Sequence, residues 1–229
     1  MMNKTIGHGM LASAFEKSQS QDCIFFCSGV SNSSEMRSSE FDRERELLIK
    51  SLKKQHNETF VYFSSILAPS ESNAYYKHKL EIEQYIAKNS KKYLILRLPQ
   101  VAGVTNNKTL LPFFVQRINT GKTVSILREC SRSIVDVEDV VKGFDALYNK
   151  GLTNEVLDFC PDYTFHPIEL AEIIAEYLKK DLRFKCVDGS SLQKCAPSAE
   201  VAQLNLFNKK SKYLIQIVEK YADTIIRIS

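Results

Sequence analysis

Short, strongly apolar runs alternate along the chain with longer segments in which apolar residues recur every three or four positions. The runs at 23–27, 60–63 and 93–98 are typical of buried strands, and the segments 41–55 and 75–88 have the spacing of amphipathic helices. Because strands and helices alternate, the sequence predicts an α/β fold with a mostly parallel sheet and helices on both faces. Further strands are predicted at 4–6, 133–137, 156–159 and 183–187, and further helices at about 10–18, 112–119, 138–149, 167–178 and 208–227.

The composition is that of an ordinary globular chain. Of the 229 residues, 44% are hydrophobic and 25% are charged, and this length supports one domain or a domain with a small cap. We place the core domain at 1–150 and a small C-terminal lobe, interleaved with the core, at 151–229. The formal net charge is +4, and the lysine pairs lie at predicted helix ends without a stripe of aromatic residues, so no nucleic-acid partner is indicated.

The six cysteines follow neither the spacing of a disulfide framework nor that of a metal site. We therefore expect buried, reduced thiols, a cytoplasmic location and no bound metal. No apolar run reaches the length of a membrane span, and the N-terminus lacks the apolar segment of a signal peptide. The sequence therefore predicts neither a membrane span nor a leader.

A glycine-rich loop follows the first predicted strand. Gly7, Gly9 and Ala12 have the spacing Gly-x-Gly-x-x-Ala between a strand and a helix. Small residues there allow the backbone to approach a pyrophosphate at the helix N-terminus, where free N–H groups point outward. A structural tight turn would explain the same glycines, but the position of the loop at the start of an alternating chain favours nucleotide binding.

Three polar residues that suit proton transfer follow the strand at 60–63. Ser65 comes just after this run, and Tyr75 and Lys79 are spaced by one helical turn, so these two side chains share a helix face. A lysine ammonium close to a phenol favours the phenolate and lowers its pKa from about 10. The serine hydroxyl can hydrogen-bond the substrate oxygen on which the phenol acts. Together they predict proton transfer to or from an alcohol or a ketone.

This Ser…Tyr-x-x-x-Lys pattern, with the glycine loop and the strand end at 97–99, resembles the short-chain dehydrogenase/reductase superfamily in its extended, NAD-dependent epimerase/dehydratase-like form. The resemblance spans residues 5 to about 180 and implies a Rossmann-like doubly wound sheet, a small C-terminal cap lobe, and NAD or NADP as cofactor. It implies that Ser65, Tyr75 and Lys79 are catalytic, with Lys79 also on the nicotinamide ribose. The cofactor-binding residues that it implies are Gly7, Gly9, Met10, Leu11, Ser28, Gly29, Lys79 and Leu98.

The chain departs from the family pattern in its first part. The strand at 23–27 resembles the family's fourth strand, and it is followed by Ser28 rather than by the acidic residue that holds the adenine ribose in a dinucleotide-binding fold. The family's second and third strands are therefore predicted to be missing, together with part of the adenine pocket. One consequence is that the protein holds the cofactor in another way than the family does, with help from Arg37. The alternatives are that it binds the cofactor weakly or no longer binds it.

Two later segments indicate the substrate. Residues 132–140 resemble the family's Arg-Asp-Phe-Val-His-Val-Asp-Asp-Val, whose Arg commonly contacts the diphosphate of a nucleotide sugar. Gln100 occupies the position of the family's substrate-contacting Asn, so the resemblance implies that Arg132 and Gln100 bind substrate. A surface pair between Arg132 and Glu129 is the alternative. Asp136 and Asp139 are expected to be structural, and His166 is expected to be a non-catalytic loop residue near the start of a helix.

The resemblance implies an NAD(P)-dependent epimerase or ketone reductase that acts on a nucleotide-activated sugar by tyrosine-assisted hydride transfer, in surface polysaccharide synthesis. One rival is a non-catalytic relative that binds a sugar nucleotide or a protein partner, which the missing strands favour and the intact catalytic set opposes. Another is a reductase for a different small carbonyl compound, which Arg132 opposes. The helices at 41–55 and 75–88 resemble the superfamily's dimer interface, so we expect a homodimer, with plain packing on the sheet as the alternative.

Overall fold

The computed structural model describes residues 4–105, 109–207 and 209–228, which form two compact units. The first unit comprises Met1–Pro99, Val137–Cys160 and Pro197–Leu204, and the second comprises Gln100–Asp136, Pro161–Ala196 and Asn205–Ser229. The elements are β1 (Lys4–Ile6), α1 (Met10–Phe15), β2 (Cys23–Phe26), α2 (Ser38–Leu52), β3 (Thr59–Ser65), a 3₁₀ turn (Ala68–Ser70), α3 (Ala74–Asn89), β4 (Tyr93–Leu98), β5 (Gln100–Ala102), α4 (Leu110–Asn119), β6 (Val124–Cys130), β7 (Ile134–Asp136), α5 (Val137–Asn149), β8 (Glu155–Asp158), α6 (Pro167–Leu178), β9 (Phe184–Ser191), α7 (Ala199–Ala202) and α8 (Lys210–Arg227).

The first unit contains a parallel sheet of five strands in the order β1-β2-β3-β4-β8. The register pairs Ile6 with Phe26 and Ser65 with Leu98, so β1 and β2 end together, and β3 and β4 end together further along the same direction. β1 is an outer strand, and within the described residues no further strand pairs with its free side. The predicted α/β fold with a parallel, Rossmann-like sheet that is short on this side is therefore confirmed.

Helices cover both faces of this sheet because successive strand residues point to opposite sides. On one face Phe26 packs with Leu48 of α2 and Ile82 of α3. On the other face Phe25 packs against Phe15 of α1, with the ring centroids 4.7 Å apart, and α5 lies against α1. The adjacent residues Phe25 and Phe26 of β2 thus pack against the two helical layers of a doubly wound fold.

The second unit is built from two short parallel strand pairs, β5–β7 and β6–β9, and three helices. Its core is formed by apolar side chains of α4, α6 and α8, among them Phe114, Ile174 and Ile217. Pro99 separates β4 from β5, because proline has no N–H to donate to a strand ladder.

The structure contains elements that the sequence did not predict, notably β5, β6 and α7. β6 was missed because polar residues alternate irregularly along it, with Ser125, Arg128 and Glu129 exposed among buried neighbours. β9 runs on to Ser191, past its predicted end at 187. The last helix begins at Lys210, and residue 208, where it was predicted to begin, lies outside the described residues.

The cysteines are free, as expected, but they are not all buried. Cys23, Cys130 and Cys160 are buried, whereas Cys186 is exposed on β9, so the expectation of burial is wrong for that thiol. Burial raises the pKa of Cys23 and of Cys27 to about 12. Within the three described ranges, no helix combines the length and the apolar character that a bilayer crossing requires.

Candidate active site

Tyr75 and Lys79 lie in the first turns of α3, on the face that packs toward the sheet. The Asn73 side chain caps this helix by accepting a hydrogen bond from the Tyr76 N–H at 3.0 Å, which fixes where the helix begins. The Lys79 Nζ lies 5.6 Å from the centroid of the Tyr75 ring, as expected for residues four apart on one helix face. The phenol and the ammonium that the sequence paired are therefore neighbours.

The Lys79 ammonium is buried and donates two hydrogen bonds. Its acceptors are Glu44 Oε1 of α2, at 3.1 Å, and the Tyr62 hydroxyl of β3, at 3.0 Å. Gly29, in the loop after β2, completes the enclosure, since a Cβ at this position would lie 2.7 Å from Lys79 Nζ. An ammonium has three donors, so one donor of Lys79 is left for a further acceptor.

Glu44 is a charged residue of this site that the sequence analysis missed. It is 0% exposed, and its carboxylate accepts hydrogen bonds from the Val30 N–H at 2.7 Å and the Tyr62 hydroxyl at 2.7 Å, besides Lys79. His78 Nε2 lies 3.2 Å from Glu44 Oε2. The i+4 spacing to Leu48, which points into the core, is the one sequence signal that this glutamate faces inward.

Burial by itself would raise the pKa of Glu44. The Lys79 ammonium, together with the hydrogen bonds from His78, Val30 and Tyr62, outweighs burial and holds this pKa well below its usual range. Glu44 is therefore an ionised carboxylate inside the protein, and its charge is compensated by Lys79.

The pKa of Tyr75 does not follow the expectation from the sequence. Burial raises it above its ordinary value of 10, the Lys79 charge lowers it, and the Glu44 charge raises it again, so the net direction is upward. Tyr62, which is wholly buried, also has a raised pKa, through burial first and then through Glu44. The expected lowering by Lys79 is present but is outweighed, and both phenols are protonated at neutral pH.

The predicted catalytic hydroxyl, Ser65, is the last residue of β3. Its Oγ accepts a hydrogen bond from the Leu67 N–H at 3.2 Å, and it is half-buried. Within the described residues no hydrogen bond joins Ser65 to Tyr75. The structure thus brings Tyr75, Lys79 and Gly29 together, and sets Ser65 at the end of the strand that carries Tyr62.

A second buried ion pair ties α3 to the sheet. Ser64 Oγ and the Arg97 guanidinium both bond Glu83 of α3, with Arg97 Nη2 2.6 Å from Glu83 Oε2. Asp158 of β8 lies 3.8 Å from Arg97 Nη1. Burial raises the pKa of Asp158, which Arg97 partly opposes. Arg97, which the sequence placed in a strand-end motif, thus holds the helix that carries Tyr75 and Lys79.

The glycine loop lies beside the loop after β2. The Cys27 N–H donates to the Ile6 carbonyl at 2.8 Å, and Gly7 has φ +124°, a conformation that favours glycine. A Cβ at Gly7 would lie 2.7 Å from the Cys27 carbonyl oxygen, whereas a Cβ at Gly9 would meet nothing within 4 Å. The first glycine is required for close packing, and the second leaves open space at the start of α1.

The remaining predicted cofactor residues lie in or next to these loops, or at the end of a strand. Met10 and Leu11 are half-buried in α1, Ser28 precedes Gly29, and Leu98 is buried at the end of β4. Their role toward a cofactor stays a prediction. Arg37 bonds Glu35 through its Nε and its Nη2, at 2.9 Å and 2.8 Å.

The two predicted substrate residues belong to the second unit. Arg132 Nη1 donates to the carbonyls of Ser131 and Ser191, at 2.8 Å and 2.7 Å, rather than to Glu129. Gln100 donates its backbone N–H to the Ser133 carbonyl at 3.2 Å, and its Oε1 is buried without a hydrogen-bond partner in the described part of the chain. Gln100 therefore keeps a polar atom that the described part of the fold does not use.

Asp136 has structural contacts, as expected, and so does His166. Asp136 accepts hydrogen bonds from Lys220 and Tyr221 of α8, each at 2.7 Å. The side chain of His166 accepts from the Ile168 N–H and caps α6, while Glu169 bonds back to the His166 N–H at 2.8 Å.

The fold and this site define a Rossmann-like α/β protein with a Tyr-x-x-x-Lys pair at the carboxyl edge of a parallel sheet. The model of the NAD dependent epimerase/dehydratase family matches residues 46–159, and this segment of the chain belongs to that family. The resemblance stated from the sequence is thus confirmed. No curated protein sequence matches the chain.

Several solved structures have the same fold. RMD from Pseudomonas aeruginosa, solved with NADPH, is 13% identical with a TM-score of 0.76, and the alignment covers 98% of this chain and 100% of that chain. ADP-L-glycero-D-manno-heptose-6-epimerase from Helicobacter pylori is 16% identical, with a TM-score of 0.73 over 94% of this chain and 76% of that chain. UDP-glucuronic acid 4-epimerase from Bacillus cereus, solved with UDP-glucuronic acid and NAD, is 15% identical, with a TM-score of 0.73 over 91% and 76%. At these identities the likeness concerns the fold.

Proposed function

We propose that this protein is an NAD(P)-dependent oxidoreductase or epimerase that acts on a nucleotide-activated sugar. The observation that carries the proposal is the juxtaposition of Tyr75, Lys79 and Gly29 where β2 and β3 end. Ligands of open α/β sheets bind outside the carboxyl ends of the strands, which is where these residues lie. The family match and the nucleotide-sugar epimerases among the structural neighbours support the substrate class.

Each residue has a defined part in this proposal. The nicotinamide cofactor supplies or accepts a hydride at a sugar carbon when it is bound. Tyr75 donates or takes the proton of the sugar oxygen, and Ser65 hydrogen-bonds the same oxygen. Lys79 uses its remaining donor for the ribose of the cofactor, and its charge acts on the Tyr75 phenol.

The first unit fits one part of a dinucleotide better than the other. Gly7 approaches the neighbouring backbone closely, and Gly9 opens space at the start of α1, as a diphosphate requires. The adenosine side is less complete, since β1 is an outer strand and β2 is followed by Ser28 rather than by an acidic residue. We therefore expect the cofactor to be held mainly through its diphosphate and nicotinamide ribose.

The substrate is proposed to use the second unit. An arginine fork suits a diphosphate, and the hydrogen bonds of Arg132 to backbone carbonyls use its Nη1. The buried Oε1 of Gln100 can accept a hydrogen bond from a sugar hydroxyl. Five further points stay predictions. They are a dinucleotide-binding role for 1–150, a substrate-binding role for 151–229, surface polysaccharide synthesis, a cytoplasmic location and a homodimer through α2 and α3.

The first experiment is calorimetric titration of the purified protein with NAD and NADPH, each with and without a nucleoside diphosphate. Micromolar cofactor binding would support an oxidoreductase or epimerase and would justify a screen of nucleotide sugars. Absence of cofactor binding under both conditions would contradict hydride transfer. Binding of the nucleoside diphosphate alone would then favour the non-catalytic sugar-nucleotide-binding relative.

Tyr75→Phe tests the role of the phenol directly. We expect the variant to bind the cofactor with unchanged affinity and to lose at least 100-fold in turnover, because it lacks the proton donor. Calorimetry and a nicotinamide absorbance assay measure the two quantities separately. Tyr76→Phe, on the neighbouring residue of α3, is the matched control and should keep its turnover. Equal turnover of Tyr75→Phe and the wild-type protein would exclude Tyr75 as the acid.

A further inference from the structure

The Lys79 ammonium lies closer to the Glu44 carboxylate than to the Tyr75 phenol ring. Lys79 Nζ lies 3.1 Å from Glu44 Oε1 but 5.6 Å from the centroid of the Tyr75 ring. Glu44 is 0% exposed, so solvent does not screen this pair. We propose that Glu44 is a positioning residue that neutralises Lys79 and thereby holds Tyr75 in its protonated form, which sets the site to donate a proton rather than to accept one.

The groups that face Tyr75 carry little net charge. Lys79 contributes a positive charge from α3 and Glu44 a negative charge from α2, Tyr62 is neutral because its pKa is raised, and Tyr76 is the other phenol nearby. A phenolate at Tyr75 would therefore meet one charge of each sign, while burial favours the neutral form. An unpaired lysine at the same place would favour the phenolate instead.

Neighbouring groups hold the Lys79–Glu44 ion pair in place. Val30 and Tyr62 each donate to the Glu44 carboxylate at 2.7 Å, which fixes its position in front of Lys79. Gly29 packs closely against both charged groups, since a Cβ there would lie 2.7 Å from Lys79 Nζ and 2.9 Å from Glu44 Oε1. His78 Nε2, at 3.2 Å from Glu44 Oε2, adds a donor if the ring carries its proton on that nitrogen.

The consequence for chemistry rests on the proposed function. A protonated Tyr75 suits reduction, in which the carbonyl carbon of a keto sugar receives a hydride from the reduced nicotinamide and the oxygen receives the Tyr75 proton. The C=O π bond and the phenol O–H bond break, and new C–H and O–H bonds form. The products are an alcohol, the oxidised nicotinamide and a tyrosinate that is reprotonated by water. The structure thus favours ketone reduction over alcohol oxidation at neutral pH.

The test reads the protonation of Tyr75 in the whole chain without any cofactor. Tyrosines are labelled with carbon-13 at Cζ, and the pH is raised from 6 to 11.5 while the signals are followed by NMR. The Tyr75 signal is identified by its loss in Tyr75→Phe. In the wild-type protein we expect Tyr75 to titrate above its ordinary value of 10. Titration clearly below 10 would overturn the proposal without any variant.

Two variants then test the cause. Glu44→Gln should lower the Tyr75 titration by at least about one pH unit, because Lys79 is left unpaired. Glu44→Asp keeps the charge and should stay within about half a unit of the wild-type protein. Glu81→Gln is the matched control, since it removes a carboxylate of the same helix whose partner is Arg45 at the surface, and should leave Tyr75 unchanged. An unchanged titration in folded Glu44→Gln would overturn the proposal.

Failure of the Glu44 proposal can be distinguished from failure of the proposed function. If the protein binds no cofactor, the NMR titration still reports whether Glu44 controls Tyr75. If the titration fails while the cofactor binds and Tyr75→Phe is inactive, the proposed function stands and only the role of Glu44 is lost. If Glu44→Gln does not fold, the titration of the wild-type protein decides, and a Tyr75 signal that titrates clearly below 10 would overturn the proposal.

Discussion

Two glycines in one loop have different physical roles. Gly7 combines a positive φ with a neighbour that cannot move away, the Cys27 carbonyl, whereas Gly9 has ordinary backbone angles and open space. In the sequence pattern Gly-x-Gly-x-x-Ala, the two glycines cannot be distinguished. Only the path of the β2 backbone distinguishes the glycine that packing requires from the one that leaves room for a ligand.

Substitution of these glycines gives a residue-scale prediction. We expect Gly7→Ala to lower the free energy of unfolding by roughly 2 kcal/mol or more, because both the φ of +124° and the contact with Cys27 oppose a Cβ. Gly9→Ala, the matched control, should change it by less than about 0.5 kcal/mol. Urea unfolding of both variants measures the difference. Equal losses in the two would mean that the close approach to Cys27 does not limit the residue at 7.

Tyr75 and Glu44 illustrate which site residues a sequence reveals. The Tyr-x-x-x-Lys spacing predicts a phenol and an ammonium on one helix face, since both belong to one helix. Glu44 lies 35 residues from Lys79 along the chain, and its spacing to Leu48 indicates only that it faces inward, not that it meets Lys79. Its role depends on the packing of α2 and α3 against the same sheet face, which is a tertiary property.

At the scale of elements, α3 carries its functional residues on one face. Tyr75, Lys79 and Glu83 follow each other at intervals of four, so all three point toward the sheet. Glu83 is buried and is paired with Arg97 of β4. This pair therefore fixes the helix relative to the strands at whose ends the candidate site lies.

Removal of one partner of this pair should be costly. We expect Arg97→Leu to destabilise the fold by roughly 3 kcal/mol, because Glu83 is left buried with an uncompensated charge. The double variant Arg97→Leu/Glu83→Leu should lose less than the single variant. Arg45→Leu is the matched control, since Arg45 pairs with Glu81 of the same helix at the surface, and should cost no more than about 1 kcal/mol. Urea unfolding would contradict the argument if Arg97→Leu and Arg45→Leu lost the same stability.

At the scale of the whole molecule, the buried carboxylate gives stability that depends on pH. The pKa of Glu44 is lowered from its ordinary 4.5 in the folded protein, so folding releases its proton near that pH. The folded state then binds fewer protons than the unfolded chain, and stability falls as the pH falls below 4.5. Above that pH the contribution is fully present.

The comparison with Glu44→Gln isolates this contribution. We expect the difference in unfolding free energy between the wild-type protein and the variant to shrink by about 1–2 kcal/mol from pH 7 to pH 3, since a glutamine does not titrate. Urea unfolding at several pH values measures it. A difference that stays constant over this range would show that Glu44 does not carry a lowered pKa in the folded protein.

The sequence by itself determined the features that depend on local order. Apolar runs and amphipathic spacing predicted the parallel α/β sheet, the exact span of β4 and α6, and the shared face of Tyr75 and Lys79, because strand and helix periods act over a few residues. The resemblance of the strand at 23–27 to the family's fourth strand also predicted a sheet that is short on the side of β1.

Only the tertiary structure decided how charges and backbone meet. It paired Lys79 with Glu44 and Arg97 with Glu83, brought Gly29 against the ammonium, and reversed the expected direction of the Tyr75 pKa. The physical reason is that burial and Coulomb energies depend on distances between residues that are far apart in the chain. The spacing of Tyr75 and Lys79 follows from the sequence, whereas the protonation of Tyr75 depends on the tertiary structure.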